Sequence, residues 1–319
     1  MVSRSDVLAA YRIFLDRDPE DEEVVQGYMS MTSTEELFRA FLESEECRER
    51  LQPVGKPLDW PPMEIQLRTS DEDLQAMMDR VNRHWTQLGI DDPYWSVLGS
   101  EDFRQETIEE TREEFYETGQ MEVDRLFSFA ARSGIDLAAR RTCFELGCGI
   151  ARVTRALAPH FQHVYAADIS AVHLEHARTA LAEADITNVS LIRVTSLESI
   201  RSIRNYDLFY SYISLQHNAP PVIAHILGTV LTNLNPGGVA FFQVPTYHLG
   251  YEFSAQTYLE NEEDEASMEM HVLPQEKVMD IIYGTGCKVL EVREDPGNND
   301  PEGVSNAFFV QKRATPGLG

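Results

Sequence analysis

The sequence predicts an α/β protein built on a doubly wound, seven-stranded, mainly parallel sheet, preceded by a small all-α domain. Three observations lead there. After Gly134, short β-branched or aromatic runs alternate with helical segments: TCFELG, HVYAAD, VSLIRV, DLFYSY, VAFFQV, KVLEVRE and NAFFVQK. Such alternation implies parallel strands covered by helices on both faces. The first run ends in a glycine turn that opens at once into a helical pattern, FELGCGIARVTRALA. Before Gly134 the texture is helical, with Glu, Arg and Gln between spaced apolar residues in EDFRQETIEETREEFYETGQMEVDRLFSFAARSG.

Taken in order, residues 1–51 read as a small helical domain. Leu8, Ala9, Tyr11, Ile13, Phe14 and Leu15 form an apolar stripe that DRDPED interrupts. A second stripe follows in ELFRAFLESEECRERL, with Thr34 placed to cap its start. Residues 52–70 carry four prolines and read as a linker, and 71–132 as a helical lead-in. Residues 133–319 hold the sheet. Its last two runs, joined by the turn-rich EDPGNNDPEGVS, predict an antiparallel hairpin at one edge. The acidic ENEEDE (260–265) reads as a solvated loop.

Composition narrows the function classes. Fifty-three acidic against 27 basic side chains leave a net charge of −26 over 319 residues. That field repels polyanions, which speaks against nucleic acid and anionic membrane as partners. The N-terminus meets charge too soon for a signal peptide, and no apolar run reaches membrane-spanning length. Cys47, Cys143, Cys148 and Cys287 show no paired metal-ligand spacing and no disulfide framework, so a cytoplasmic location is expected, with no metal.

In the glycine turn, Gly147, Cys148 and Gly149 follow the strand end at Glu145 and Leu146. Side chains there would block a ligand lying on the backbone, and open α/β sheets bind ligands beyond the carboxyl ends of their strands. Asp168 closes the next strand, 19 residues past Gly149, where an acid can accept hydrogen bonds from ribose hydroxyls. A dinucleotide site needs a third small residue, and that position holds Arg152.

The loop instead resembles motif I of class I S-adenosylmethionine-dependent methyltransferases, an acid followed by x-G-x-G-x-G. Glu145 is the acid, and Ala151 replaces the last glycine. NYDLFYSYISLQHN (205–218) is similar to motif IV, LNPGGVAFFQV (234–244) to motif VI, and the closing hairpin to the family's antiparallel seventh strand. The resemblance covers about residues 115–312 and implies the Rossmann-like methyltransferase fold, with S-adenosylmethionine as cofactor and S-adenosylhomocysteine as product. It implies that Glu145, Gly147, Cys148, Gly149 and Arg152 form the loop under the methionine part and that Asp168 holds the ribose. Ile169, Ser196 and Leu197 would lie at the adenine, and Ser211 and Tyr212 at the methyl end. Tyr116 in FYETG either closes over the cofactor or is a helix-packing residue.

FQVPTYHLGY…MEMHVLP, with SLQHNAPP upstream, resembles a bacterial subgroup linked to glycan and glycoconjugate biosynthesis, and YRIFLDRDPED with FLESEE resembles a small helical domain of unknown function. By that resemblance the acceptor is a small molecule, foremost a sugar hydroxyl. An alcohol needs a base, and the histidines are the candidates: His217 or His271, with Glu269 as orienting partner. His217 either serves so or anchors its loop. The insertion 246–273, with Tyr247, Tyr251, Phe253 and Tyr258, is either a lid over the acceptor or an Ω-loop around its own small core. An amine or another natural-product acceptor would need no strong base. A non-catalytic partner-binding module would need no open ligand loop. The N-terminal helices are expected to dock a partner or a second copy of the chain.

Overall fold

The computed structural model describes residues 2–15, 17–44, 46–47, 59–261, 267–295 and 300–314. Two compact units emerge, Met1–Asp59 and Trp60–Gly319. The expected acidic loop lies partly outside the described residues, as does the turn between the last two strands.

In the first unit, α1 (Arg4–Ala10) continues as a π-helical turn over Tyr11–Leu15, followed by α2 (Glu22–Met29) and α3 (Thr34–Glu43). Ser3, Asp21 and Ser33 cap these helices by accepting from backbone N–H groups of the first turn. Ser33, not Thr34, is the cap of α3. Its side chain has the extended backbone needed to reach Glu36 N, and Thr34 is already helical. Val7, Val25, Leu37 and Phe41 are buried here, and Tyr11 meets Phe41 edge-on at 4.9 Å.

The second unit opens with β1 (Glu64–Ile65), the long helix α4 (Asp71–Asp91), a short α5 (Trp95–Leu98) and α6 (Ile108–Arg132). Ser70 and Asp73 form a reciprocal capping box that starts α4. The alternating part then runs β2 (Thr142–Leu146), α7 (Arg152–Leu157), β3 (His163–Asp168), α8 (Ala171–Glu183), β4 (Val189–Arg193), α9 (Leu197–Ser202), β5 (Tyr206–Ser211), α10 (Pro220–Asn233) and β6 (Leu234–His248). The insertion contributes β7 (Glu252–Phe253) and α11 (Ala255–Glu260), and the chain closes with α12 (Gln275–Gly284), β8 (Cys287–Glu294) and β9 (Gly303–Lys312).

Seven strands form one sheet in the order β4-β3-β2-β5-β6-β9-β8. Strands β2 to β6 pair in parallel, and β9 runs antiparallel to both β6 and β8. This is the Rossmann-like methyltransferase fold. In the central strand TCFEL the residues from Cys143 to Leu146 are all buried, because helices cover both sheet faces. Phe144, Phe209, Phe242 and Phe308 fill the core on one face, and Leu208, Tyr210, Phe241 and Phe309 that on the other. The strand order reverses between β2 and β5, and there the carboxyl ends of the strands leave a crevice.

Candidate active site

A cleft with about 990 Å³ of empty space, counting the open solvent at its mouth, occupies that crevice. Its floor is the turn after β2. Gly147 (φ +80°) and Gly149 (φ +51°) adopt left-handed backbone, and Gly147 N and Cys148 N both donate to Ala167 O. The glycines also admit neighbouring side chains: a Cβ on Gly147 would overlap Ser214 Oγ, and one on Gly149 would sit 3.0 Å from Val97. Ala151, at φ +68°, holds the same left-handed conformation at the start of α7. For a residue with a Cβ this costs roughly 1–2 kcal/mol.

Of the residues singled out from sequence, Glu145, Gly147, Cys148, Gly149, Arg152, Asp168, Ile169, Tyr212 and His217 line this cleft together. Asp168 ends β3 with its carboxylate facing the turn. One oxygen accepts from Gly149 N at 2.8 Å, the other from Ser170 N at 2.9 Å. Ionised, it retains lone pairs for a ligand. Glu145 is 2% exposed and accepts from the Thr154 hydroxyl at 2.6 Å. Burial raises its carboxyl to about 7, against the pull of Thr154 and of the Arg152 charge.

Tyr116, Ser196, Leu197, Ser211, Glu269 and His271 are placed outside the lining. Tyr116 packs edge-on against Phe115 with the Arg155 guanidinium over its ring. Ser196 caps α9, Leu197 packs on the core, and the Ser211 hydroxyl donates to Leu146 O. None of Tyr247, Tyr251, Phe253 and Tyr258 lines the cleft. Tyr247 stacks on Trp60, and the others gather around His271.

A backbone atom of the insertion meets a residue of the cleft lining. His217 Nδ1 lies 2.8 Å from Glu269 O, and a carbonyl only accepts, so Nδ1 carries the proton and Nε2 the lone pair. Nε2 meets the Gln216 amide nitrogen at 3.5 Å, and Trp85 packs edge-on against the ring. Burial lowers His217 to about 4, so the imidazole is neutral at physiological pH. The Glu269 carboxylate is bound by Arg80 at 2.6 Å, by the Tyr258 hydroxyl and by His271 at 3.2 Å. Its burial would raise the carboxyl, but the His271 and Tyr258 hydrogen bonds and the Arg80 charge hold it at about 2.

Sequence reasoning missed the wall made by α4 and α5. Met78, Val81, Trp85, Ser96 and Val97 line the cleft, as do His173 and Ser214. Three lining residues bear buried polar atoms without a hydrogen-bond partner among the described residues: Arg152 Nε, His173 Nδ1 and Tyr210 Oη. Native interiors seldom tolerate such atoms, so these fit a polar ligand. A guanidinium and a carboxyl suit an amino acid's carboxylate and ammonium, and Asp168 suits a sugar diol. Among the described residues, no group of three or more His, Cys, Asp or Glu is placed to hold a metal ion. At β5's opposite end, Asp207 accepts from Arg141 N and Thr142 N.

Residues 144–238 match the model of a methyltransferase domain family. The chain carries a methyltransferase domain. Among solved structures, the chain is similar to magnesium protoporphyrin IX methyltransferase from Synechocystis PCC 6803. With S-adenosylhomocysteine bound, that structure is 14% identical, with 74% of this chain and 99% of that one covered and a TM-score of 0.52. With S-adenosylmethionine bound, the figures are 13%, 74%, 97% and 0.51. An S-adenosylmethionine-dependent methyltransferase from Clostridium acetobutylicum is 13% identical over 60% of this chain and 90% of its own, with a TM-score of 0.44. No curated protein matches the sequence. No helix among the described residues is long and apolar enough to cross a membrane.

Proposed function

We propose that the enzyme methylates an oxygen of a small polar acceptor, with a sugar hydroxyl in glycan or glycoconjugate assembly as the leading candidate and His217 as general base. The cofactor, when bound, supplies an electrophilic methyl group on a sulfonium. In this reading Asp168 accepts from the ribose hydroxyls, and Glu145 and Arg152 pair with the ammonium and carboxylate of the methionine part. Ile169, Val97, Trp85 and Ile213 give the cleft apolar walls that exclude water. His217 Nε2 would take the proton of the acceptor hydroxyl as that oxygen displaces the methyl group from the sulfonium, which would leave as the neutral thioether.

One observation carries the assignment: His217 alone among the candidate bases lines the cleft, with its tautomer fixed by Glu269 O so that the lone pair is on Nε2. His271, by contrast, bonds Tyr251 and Glu269. We read it and Glu269 as positioning residues, and Tyr116, Ser196, Leu197 and Ser211 as support for the cleft's walls. His217→Asn keeps a donor for Glu269 O and removes the base. We expect turnover to fall about 10²–10⁴-fold with S-adenosylhomocysteine affinity unchanged. The low basicity of the buried His217 favours a second reading, an amine or acidic natural-product acceptor, and intact turnover in the variant would select it. The free, buried cysteines support a cytoplasmic setting. Exposed Ile13, Phe38 and Leu42 support a docking role for Met1–Asp59, to a partner or a second copy.

A further inference from the structure

His173 occupies the first turn of α8, five residues after Asp168, and its ring is 1% exposed. The Ser96 hydroxyl has a single proton and donates it to Pro93 O at 3.0 Å. At 2.9 Å from His173 Nε2, Ser96 Oγ therefore accepts, and Nε2 carries the ring proton. Nδ1 is then an unprotonated acceptor, buried in the cleft wall without a partner among the described residues. The ring is held by design of the neighbouring helix. Gly89 lies on α4 where a Cβ would stand 3.1 Å from two ring atoms, and a helical glycine costs roughly 1 kcal/mol relative to alanine. Trp85 flanks the ring at 6.1 Å.

Asp168 lies close enough for its charge to act on this imidazole. Each Asp168 oxygen already accepts one backbone N–H, from Gly149 or Ser170. A vicinal diol brings two donors to this corner. We infer that His173 Nδ1 is a second acceptor for the cofactor ribose, sharing the diol with Asp168. This deepens the proposed reading of the cleft as the adenosyl site and rests on it.

The test is calorimetric titration of S-adenosylhomocysteine and its 2′-deoxy and 3′-deoxy analogues into the full chain, wild type and two variants. His173→Leu removes the acceptor, and His173→Asn retains one on a shorter arm. His173→Leu is expected to bind S-adenosylhomocysteine roughly five- to tenfold more weakly. One deoxy analogue should bind wild type more weakly than the parent, yet bind the Leu variant as well as the parent does. His173→Asn should recover part of the loss. Equal affinity of wild type and His173→Leu for S-adenosylhomocysteine overturns the inference. So does an equal loss for all three ligands, which marks a packing effect, or a wild type indifferent to both missing hydroxyls. If the Leu variant fails to fold, the Asn variant and the wild-type analogue series decide. Absence of any S-adenosylhomocysteine binding to wild type instead removes the adenosyl reading beneath it.

Discussion

Glu145→Gln separates what the fold wants from what the ligand wants. The carboxyl is almost fully buried, and burial holds its pKa at about 7. An unfolded glutamate titrates near 4.5. Because the folded value is the higher one, the protonated side chain favours the folded state below pH 4.5, and that contribution is lost as pH rises through 7. The gap from 4.5 to about 7, at about 1.4 kcal/mol per pH unit, comes to about 3 kcal/mol against the folded state at pH 8. Glutamine carries no charge and still offers Thr154 an acceptor. Urea unfolding should therefore show Glu145→Gln more stable than wild type by up to about 3 kcal/mol at pH 8 and by less than about 1 kcal/mol at pH 5. S-adenosylhomocysteine affinity should fall about tenfold or more, because the variant lacks the charged partner proposed for the ammonium. A variant destabilised at pH 8 would refute the reasoning, since it would mean that the folded chain stabilises the ionised carboxylate.

Two further outcomes are expected. Asp168→Ala removes the proposed ribose acceptor together with the anchors of Gly149 N and Ser170 N, so S-adenosylhomocysteine should bind about 1.5–3 kcal/mol more weakly by calorimetry. Ala151→Gly relieves a left-handed alanine, and thermal unfolding should report stability raised by about 0.5–1 kcal/mol after the added freedom of the unfolded glycine is offset.

The sheet was readable because its signals are local. Each strand is a short apolar run beside a turn, and the loop from Glu145 to Gly149 shows its glycines in sequence. The acid at Asp168 follows from the same logic, since it marks the end of the adjacent strand. Ser196, expected at the adenine, caps α9 in the structure, where it and Ser199 form a reciprocal capping box. Trp85, Ser96 and Val97 had no local signature at all. They reach the cleft because α4 and α5 pack across strand ends far away in the chain, a long-range arrangement that spacing cannot encode. Likewise, the choice between His217 and His271 turns on a main-chain carbonyl at Glu269, and any residue type at that position supplies one. The density of aromatics in the insertion allowed either a lid or a loop packed on its own small core. Tyr251, Phe253 and Tyr258 gather around His271, with Arg80 and Glu269 beside them.

The central claim, that this cleft is where the cofactor rests, is tested most directly by a crystal structure with S-adenosylhomocysteine. We expect the ribose against Asp168, the amino-acid end between Glu145 and Arg152, and the sulfur facing the side of the cleft that holds His217. A nucleoside bound elsewhere, or the glycine turn still filled by Ser214 and Val97 at saturating ligand, would contradict it.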